Sequence, residues 1–276
     1  MDNNPLKQYF RRPAVYIKLP SEGKLYSSDV VDMPDNGELP VYPMTAIDEI
    51  TSRTPDALYN GSAVVELIKS CIPAIKDPWK LNSMDLDAVL LGIKAADIGN
   101  TLEIESLCPE CDNLATYNVD IVNLLSQMQY VDYSVPLQIN DLTIRLKPIT
   151  YKEVSKAATA QFELERRFAI IDNIEDANEK TKQVQGTLLM ITDLTMQILS
   201  EAIASIKTPS IEVDNKEYIL DYLRNCDKSV YLKIRDHNNE LRALSQIKPL
   251  HFKCVNSECQ HEYDQPFTVN PSDFFG

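Results

Sequence analysis

Cys108-Pro109-Glu110-Cys111 and, far downstream, Cys254-Val255-Asn256-Ser257-Glu258-Cys259 decide how this chain is read. Each pair sits between short runs with strand character. Thr101 to Leu107 and Leu114 to Val119 flank the first; Ile247 to Lys253 and Glu262 to Val269 flank the second. Two thiols on a tight turn at a hairpin tip make a zinc knuckle, and two knuckles supply the four sulfurs that a tetrahedral zinc ion takes. The four intervening residues of the second pair remain within ordinary ligand spacing. The expectation is that Cys108, Cys111, Cys254 and Cys259 close one structural Zn2+ site, and that the chain between them is an insertion inside a zinc ribbon. A closed four-sulfur site keeps no open coordination position, so it stabilises a fold and argues against a zinc enzyme.

Other uses of the cysteines fit less well. Cys71 and Cys226 follow apolar runs and read as buried core thiols. Disulfides need an oxidising compartment, and the start Met1-Asp2-Asn3-Asn4-Pro5-Leu6-Lys7 has no apolar signal core. A redox Cys-x-x-Cys opens a helix after a strand rather than capping a hairpin. His261 could replace one sulfur, but reads first as a neighbour of the site.

The composition is that of a globular chain, with 44% hydrophobic and 25% charged residues. A net charge of -14 disfavours nucleic-acid backbones and anionic membranes and suits docking to basic protein surfaces. No apolar run approaches a membrane span. Seven glycines leave little room for a glycine-rich phosphate loop, and no such motif or dinucleotide fingerprint is present. With three histidines, His237, His251 and His261, no Ser/His/Asp constellation can be argued. Acidic neighbours of the cysteines (Glu103, Glu105, Glu110, Asp112, Glu258, Glu262, Asp264) tell against nucleic-acid reading.

Residues 1–45 read as an extended N-terminal arm. Val15, Ile17 and Leu19 alternate like a strand, and Lys24 to Tyr26 could pair back as a hairpin. An arm with so little local core is held either by a partner or by its own domain. Residues 46–100 are a helical segment: a short helix from Ile47 to Thr51, one from Ala63 to Cys71 capped by Ser62, and a strong one capped by Ser83 and ended by Gly99. Asp85 and Asp87 in its first turn suit the helix dipole. Residues 101–148 hold the first knuckle and a β-hairpin turning at Asn140-Asp141. Residues 149–246 are a helical insertion, opening with the capping box Thr150–Glu153. It continues with a helix from Ala177 to Ile206, then Lys216 to Asn225 and Lys228 to Ser245. Residues 247–276 carry the second knuckle and a tail ending Phe274-Phe275-Gly276. Two terminal aromatics are expected to dock on a surface. The fold class is α+β: zinc-ribbon-like β hairpins with a large, mostly helical insertion and an extended N-terminal arm.

The run Arg11 to Pro20, the segment Leu39 to Glu49, the run Arg53 to Leu58, the two knuckles and the ending Phe267 to Phe275 together resemble the T-even-type bacteriophage baseplate hub and hub-assembly proteins. The likeness covers most of the chain in order and is weakest from about 155 to 245. Members of that family can carry Cys-x-x-Cys at the second knuckle, where this chain has Cys-x4-Cys. The resemblance implies a non-enzymatic role in building the hub of a contractile tail, as transient helper or permanent subunit. Its partners would be other phage baseplate or tail hub proteins, with no nucleic acid and no membrane. The expected location is the host cytoplasm during assembly, with the virion tail baseplate as a second. Arg11, Arg12, Phe274 and Phe275 are the expected partner contacts. A zinc-ribbon nucleic-acid-binding or transcription-related protein is the alternative.

Overall fold

The computed structural model describes residues 5–52 and 61–269. After a 3₁₀ turn at Pro5–Tyr9 come β1 (Val15–Ile17), β2 (Leu39–Val41), α1 (Ala46–Ser52), α2 (Ser62–Cys71) and α3 (Ser83–Ile98). They lead to β3 (Thr101–Leu107), β4 (Leu114–Asp120) and α4 (Ile121–Gln127). Next are β5 (Leu137–Ile139), β6 (Leu142–Leu146), α5 (Tyr151–Asp172), α6 (Ala177–Ala202), β7 (Ile203–Lys207) and β8 (Glu212–Val213). The chain continues through α7 (Lys216–Asn225), α8 (Lys228–Ser245), β9 (Leu250–Lys253) and β10 (Glu262–Gln265). The protein is α+β. It forms two compact units, one from the chain up to Tyr130 together with the chain from Ser245, the other from Val131 to Leu244.

The first unit is organised around α3. Met84, Leu86, Val89, Leu90, Leu91, Ile93 and Ala96 are all buried, so the helix is covered on every side. The antiparallel pair β1–β2 lies against it, with Val15 opposite Val41 and Ile17 opposite Leu39. The approach is so close that a Cβ on Gly92 would sit 2.8 Å from Ile17 Cγ2, which explains glycine inside this helix. Residues read as an arm are therefore core: Ile17, Leu19, Val30, Val31, Leu39 and Val41 are all buried. Lys24 to Tyr26 does not pair back on β1. That place is taken by β2, and residues 20–25 are turn instead.

The turn is fastened by Asp85, which is fully buried. Its carboxylate accepts from the Ser21 N–H at 2.9 Å, the Ser21 hydroxyl, the Tyr26 hydroxyl at 2.6 Å and the Asn82 amide at 2.9 Å. Burial, with Asp85 beside it, pushes the Tyr26 phenol up, so it stays a donor. The expected helix-start residues shift accordingly. Ser62 and Ser83 are first helical residues; the caps are Gly61, at φ 78°, and Asn82, whose Oδ1 accepts the Asp85 N–H at 2.8 Å. Asp85 is thus a buried acceptor tying down the arm, not only a dipole partner. Asp87 is half-buried, and burial pushes its carboxyl up to about 7.

The second unit is a four-stranded antiparallel sheet, β5–β6–β7–β8, with helices. The β5–β6 turn has positive φ at Asn140 alone, 53°, the sign pattern of a II′ rather than an I′ turn. This hairpin belongs with the helices because β6 pairs with β7, Ile144 opposite Ile206 and Leu146 opposite Ile203. The helix expected to reach Ile206 stops at Ala202, and Ile203–Lys207 is strand. Ile203 and Ile206, three residues apart, fit a helical stripe and not strict strand alternation, so periodicity alone points to helix; the β6–β7 register shifts at Arg145–Leu146. Lys216 decides it locally. Its ammonium donates to the carbonyls of Ser200 (3.1 Å) and Ile203, satisfying the helix end where the chain turns into β7. The Thr150–Glu153 capping box forms as expected.

Asp85→Ala should lower stability by about 3 kcal/mol or more in urea unfolding, because several buried donors lose their acceptor at once. Tyr26→Phe, which removes one hydroxyl, should cost about 1–2 kcal/mol.

Candidate metal centre

In the first knuckle β3 and β4 run in register to Leu107 opposite Leu114. The turn closes with the Cys108 N–H donating to the Asn113 carbonyl and the Asp112 N–H donating to the Cys108 carbonyl, each at 3.0 Å. Asp112, the residue after the second cysteine, adopts φ 53°. The second knuckle repeats this with two extra residues. β9 and β10 pair to Lys253 opposite Glu262, and the Cys254 N–H donates to the His261 carbonyl at 2.8 Å. Gln260, again just after the second cysteine, adopts φ 49° and donates its N–H to the Asn256 carbonyl at 3.0 Å. Cys108 is therefore both ligand candidate and turn acceptor, whereas Cys254 keeps only the first role and Asn256 takes the second. The Asn256 side chain also accepts the Glu258 N–H at 3.0 Å. This division of roles is how a four-residue spacing still forms a knuckle.

Aromatic packing joins the hairpins. Tyr117 stacks on Phe252 with centroids 4.3 Å apart, and Phe252 meets Tyr263 edge-on at 6.2 Å. The Tyr263 hydroxyl bonds Ser106 Oγ at 2.9 Å, and the Tyr117 hydroxyl donates to the Lys253 carbonyl at 3.0 Å. Sequence reading missed these residues. The signal was there: strand alternation puts Tyr263 directly across from Phe252 on the face that also carries the cysteine side.

The result is one cluster. The sulfurs of Cys108, Cys111, Cys254 and Cys259 all lie within 4.8 Å of one another. Cys108 Sγ is 3.9 Å from Cys259 Sγ and Cys111 Sγ is 3.6 Å from Cys254 Sγ. Zinc–sulfur bonds of about 2.3 Å give a tetrahedron with edges of about 3.8 Å, so the spacing fits a metal and is far too long for disulfides. Burial pushes the Cys108 thiol up, but the N–H groups of Glu110 and Cys111 and the adjacent thiols outweigh it and bring it down to about 7. The His261 N–H pulls Cys259 down, yet burial and the other three thiols push it up to about 12. Crowded thiols resist ionising together unless a cation shares their charge.

The other expected residues fall elsewhere. His261 is exposed and outside the sulfur cluster, its ring parallel to Tyr263 at 6.2 Å. Cys71 is buried, which pushes its thiol up to about 12, and Cys226 is half-buried. Arg11 turns inward: it donates to the Ser70 carbonyl and hydroxyl at 2.8 Å and to the Pro43 carbonyl, and pairs with Asp48 at 3.4 Å. Arg12 is exposed. Phe274 and Phe275, and the Arg53 to Leu58 run, lie outside the described residues.

The model of the T4 bacteriophage base plate protein family matches residues 26–276. The chain belongs to that family. The matched range takes in both knuckles and the intervening unit, and leaves out β1 and the Arg11–Arg12 pair. No curated protein and no solved structure matches the chain.

In this base plate protein both knuckles place a non-glycine residue in the left-handed region, which costs an L-residue about 1 kcal/mol. Asp112→Gly and Gln260→Gly should each raise stability by up to about 1 kcal/mol in denaturant unfolding, with the metal content of the protein unchanged.

Proposed function

We propose that this chain is a non-enzymatic baseplate hub protein that acts in hub assembly through protein–protein contacts, and that its two knuckles form a zinc ribbon around one structural Zn2+. The observation that carries the reading is the convergence of four thiols from pairs 143 and 151 residues apart, in a chain of the base plate family. Cys108, Cys111, Cys254 and Cys259 would hold the ion, and all four positions of a tetrahedron would be taken by protein. Such an ion supplies cross-linking, not a reactive water. The exposed carboxylates around the tip, Glu103, Glu105, Glu110, Asp112, Glu258, Glu262 and Asp264, repel a phosphate backbone and favour a basic protein surface.

Partner contacts come from Arg12 and the terminal Phe274 and Phe275. Arg11 serves them indirectly, because its hydrogen bonds to Ser70 and Pro43 hold the segment that displays Arg12. The protein works in the host cytoplasm during assembly, either as a helper that leaves or as a subunit that stays in the tail baseplate, with other phage baseplate or hub proteins as its partners.

Purified protein should contain one zinc per chain by elemental mass spectrometry. Cys111→Ser or Cys254→Ser should abolish it and lower stability by several kcal/mol. Because the ligands bind as thiolates, zinc should be released as pH falls and taken up again on neutralisation. A metal content near zero at neutral pH would overturn the zinc assignment.

Deleting the first twelve residues together with the last three should abolish formation of the hub complex in reconstitution with the other hub proteins of the same phage. Unchanged assembly would remove those contacts from the proposal. Mass spectrometry of purified virions beside infected-cell extract separates helper from subunit: a helper is present in the extract alone.

A further inference from the structure

The two long helices of the second unit leave most of their surface to solvent. In α5 only Tyr151 and Ile171 are buried, and in α6 only Thr187, Leu199, Ser200 and Ala202. Apolar side chains are exposed: Met190 is 45% exposed, Leu188 52% and Leu189 72%. A four-residue connection makes the helices an antiparallel hairpin, which by itself cannot cover both sides of two amphipathic helices. Between them runs an open groove of about 510 Å3, lined by Ala160, Leu164, Gly186, Leu189 and Met190, with the exposed Glu163 and Arg167.

Gly186 is the informative residue. Glycine inside a helix costs about 1 kcal/mol against alanine, a cost that close packing over its Cα can offset. Gly92 has such packing, the Ile17 side chain at 2.8 Å. Around Gly186 no atom of the described residues lies within 4 Å of where a Cβ would be. The backbone there is open to close approach by a second polypeptide.

We propose that this face is a homodimer interface, in which the α5–α6 hairpins of two copies stack about a two-fold axis as a four-helix bundle, Leu189 of each copy entering the groove beside Gly186 of the other. Charge selects a second copy as the occupant. Glu163 and Arg167 stand one helical turn apart on the lining of the same groove, while Asp193, the other carboxylate on that lining, is already paired with Arg224. An isologous contact brings a patch onto itself, so Glu163 of one copy can face Arg167 of the other, while a wholly basic or wholly acidic partner would repel one of the two. The size agrees with a modest dimer. From Ala177 to Leu194 the helix runs about 27 Å, and two helices are about 20 Å wide. That gives on the order of 500 Å2 per copy and about 1,000 Å2 in all, the lower end for a specific interface. The dimer is therefore a reversible one.

Sedimentation velocity of the metal-loaded full chain, from low to high micromolar concentration, should show the mass rising from one chain to two. Gly186→Ala should weaken the dimer at least about tenfold while leaving the melting temperature of the dilute monomer equal or higher, since alanine is the better helix former. Leu189→Glu should give a monomer throughout. Glu163→Arg should also weaken association, and adding Arg167→Glu should restore it, a rescue that loss of folding cannot mimic. A chain that stays monomeric at every concentration overturns the proposal, and so assigns the face to a different protein or to none. A dimer indifferent to these four substitutions overturns it equally.

Discussion

The chain after Ser245 belongs to the first unit because two hairpins far apart in sequence are held together. Tyr117 on Phe252, Phe252 against Tyr263, and the four sulfurs beyond them join the β3–β4 hairpin to the β9–β10 hairpin. Closing a loop across the 151 residues between Cys108 and Cys259 costs about 5 kcal/mol of chain entropy. Two aromatic contacts at about 1 kcal/mol each beyond their burial do not offset that alone. A cation shared by the four sulfurs, as proposed above, would be large enough to do so, and it would tie the sulfur geometry and the discontinuity of the unit to one explanation.

Two polar anchors, Asp85 fully buried and Arg11 half-buried, do for the N-terminal region what the sulfurs do for the hairpins. Asp85 gathers the turn at Ser21 and Tyr26 onto the start of α3, and Arg11 gathers the backbone near Pro43 and Ser70. A polar group taken from water is costly if left unpaired, and each of these has several partners. Between them β1 and β2 lie on α3 closely enough to exclude a side chain at Gly92. Among its described residues the region has no α-helix before α1 and still contributes six buried apolar residues, because its core partner is α3, far along the chain.

What was legible in the sequence was what is local. The capping box at Thr150, the helices from Lys216 and Lys228, and the strands flanking each cysteine pair depend on neighbours within a few residues. The gathering of the four cysteines was legible despite its range because thiol pairs on turns have few other uses. Contacts made at a distance were not. Asp85 in the first turn of a helix reads as a dipole partner until Ser21 is brought against it, and Ile203 and Ile206 read as helix until β6 offers them a ladder. Arg11 and Arg12 read alike as partner contacts, yet Arg11 is bonded internally.

The spacing of the second knuckle shows how function-bearing geometry tolerates sequence change. With two residues between the cysteines, one residue must end the strand, offer a sulfur and accept the turn's hydrogen bond, as Cys108 does. With four, those duties divide: Cys254 ends the strand and points its sulfur inward, and Asn256 accepts the bonds of Cys259 and Gln260. The second cysteine of each pair precedes a left-handed residue in both cases, so the turn delivers its sulfur from the same backbone direction. The sulfur positions are thus fixed by where each strand ends and where each turn reverses, and the number of residues between is free within that limit. A spacing rule states the outcome of that constraint; the constraint itself is the hydrogen-bonded turn, and the four sulfurs converge because both turns keep it.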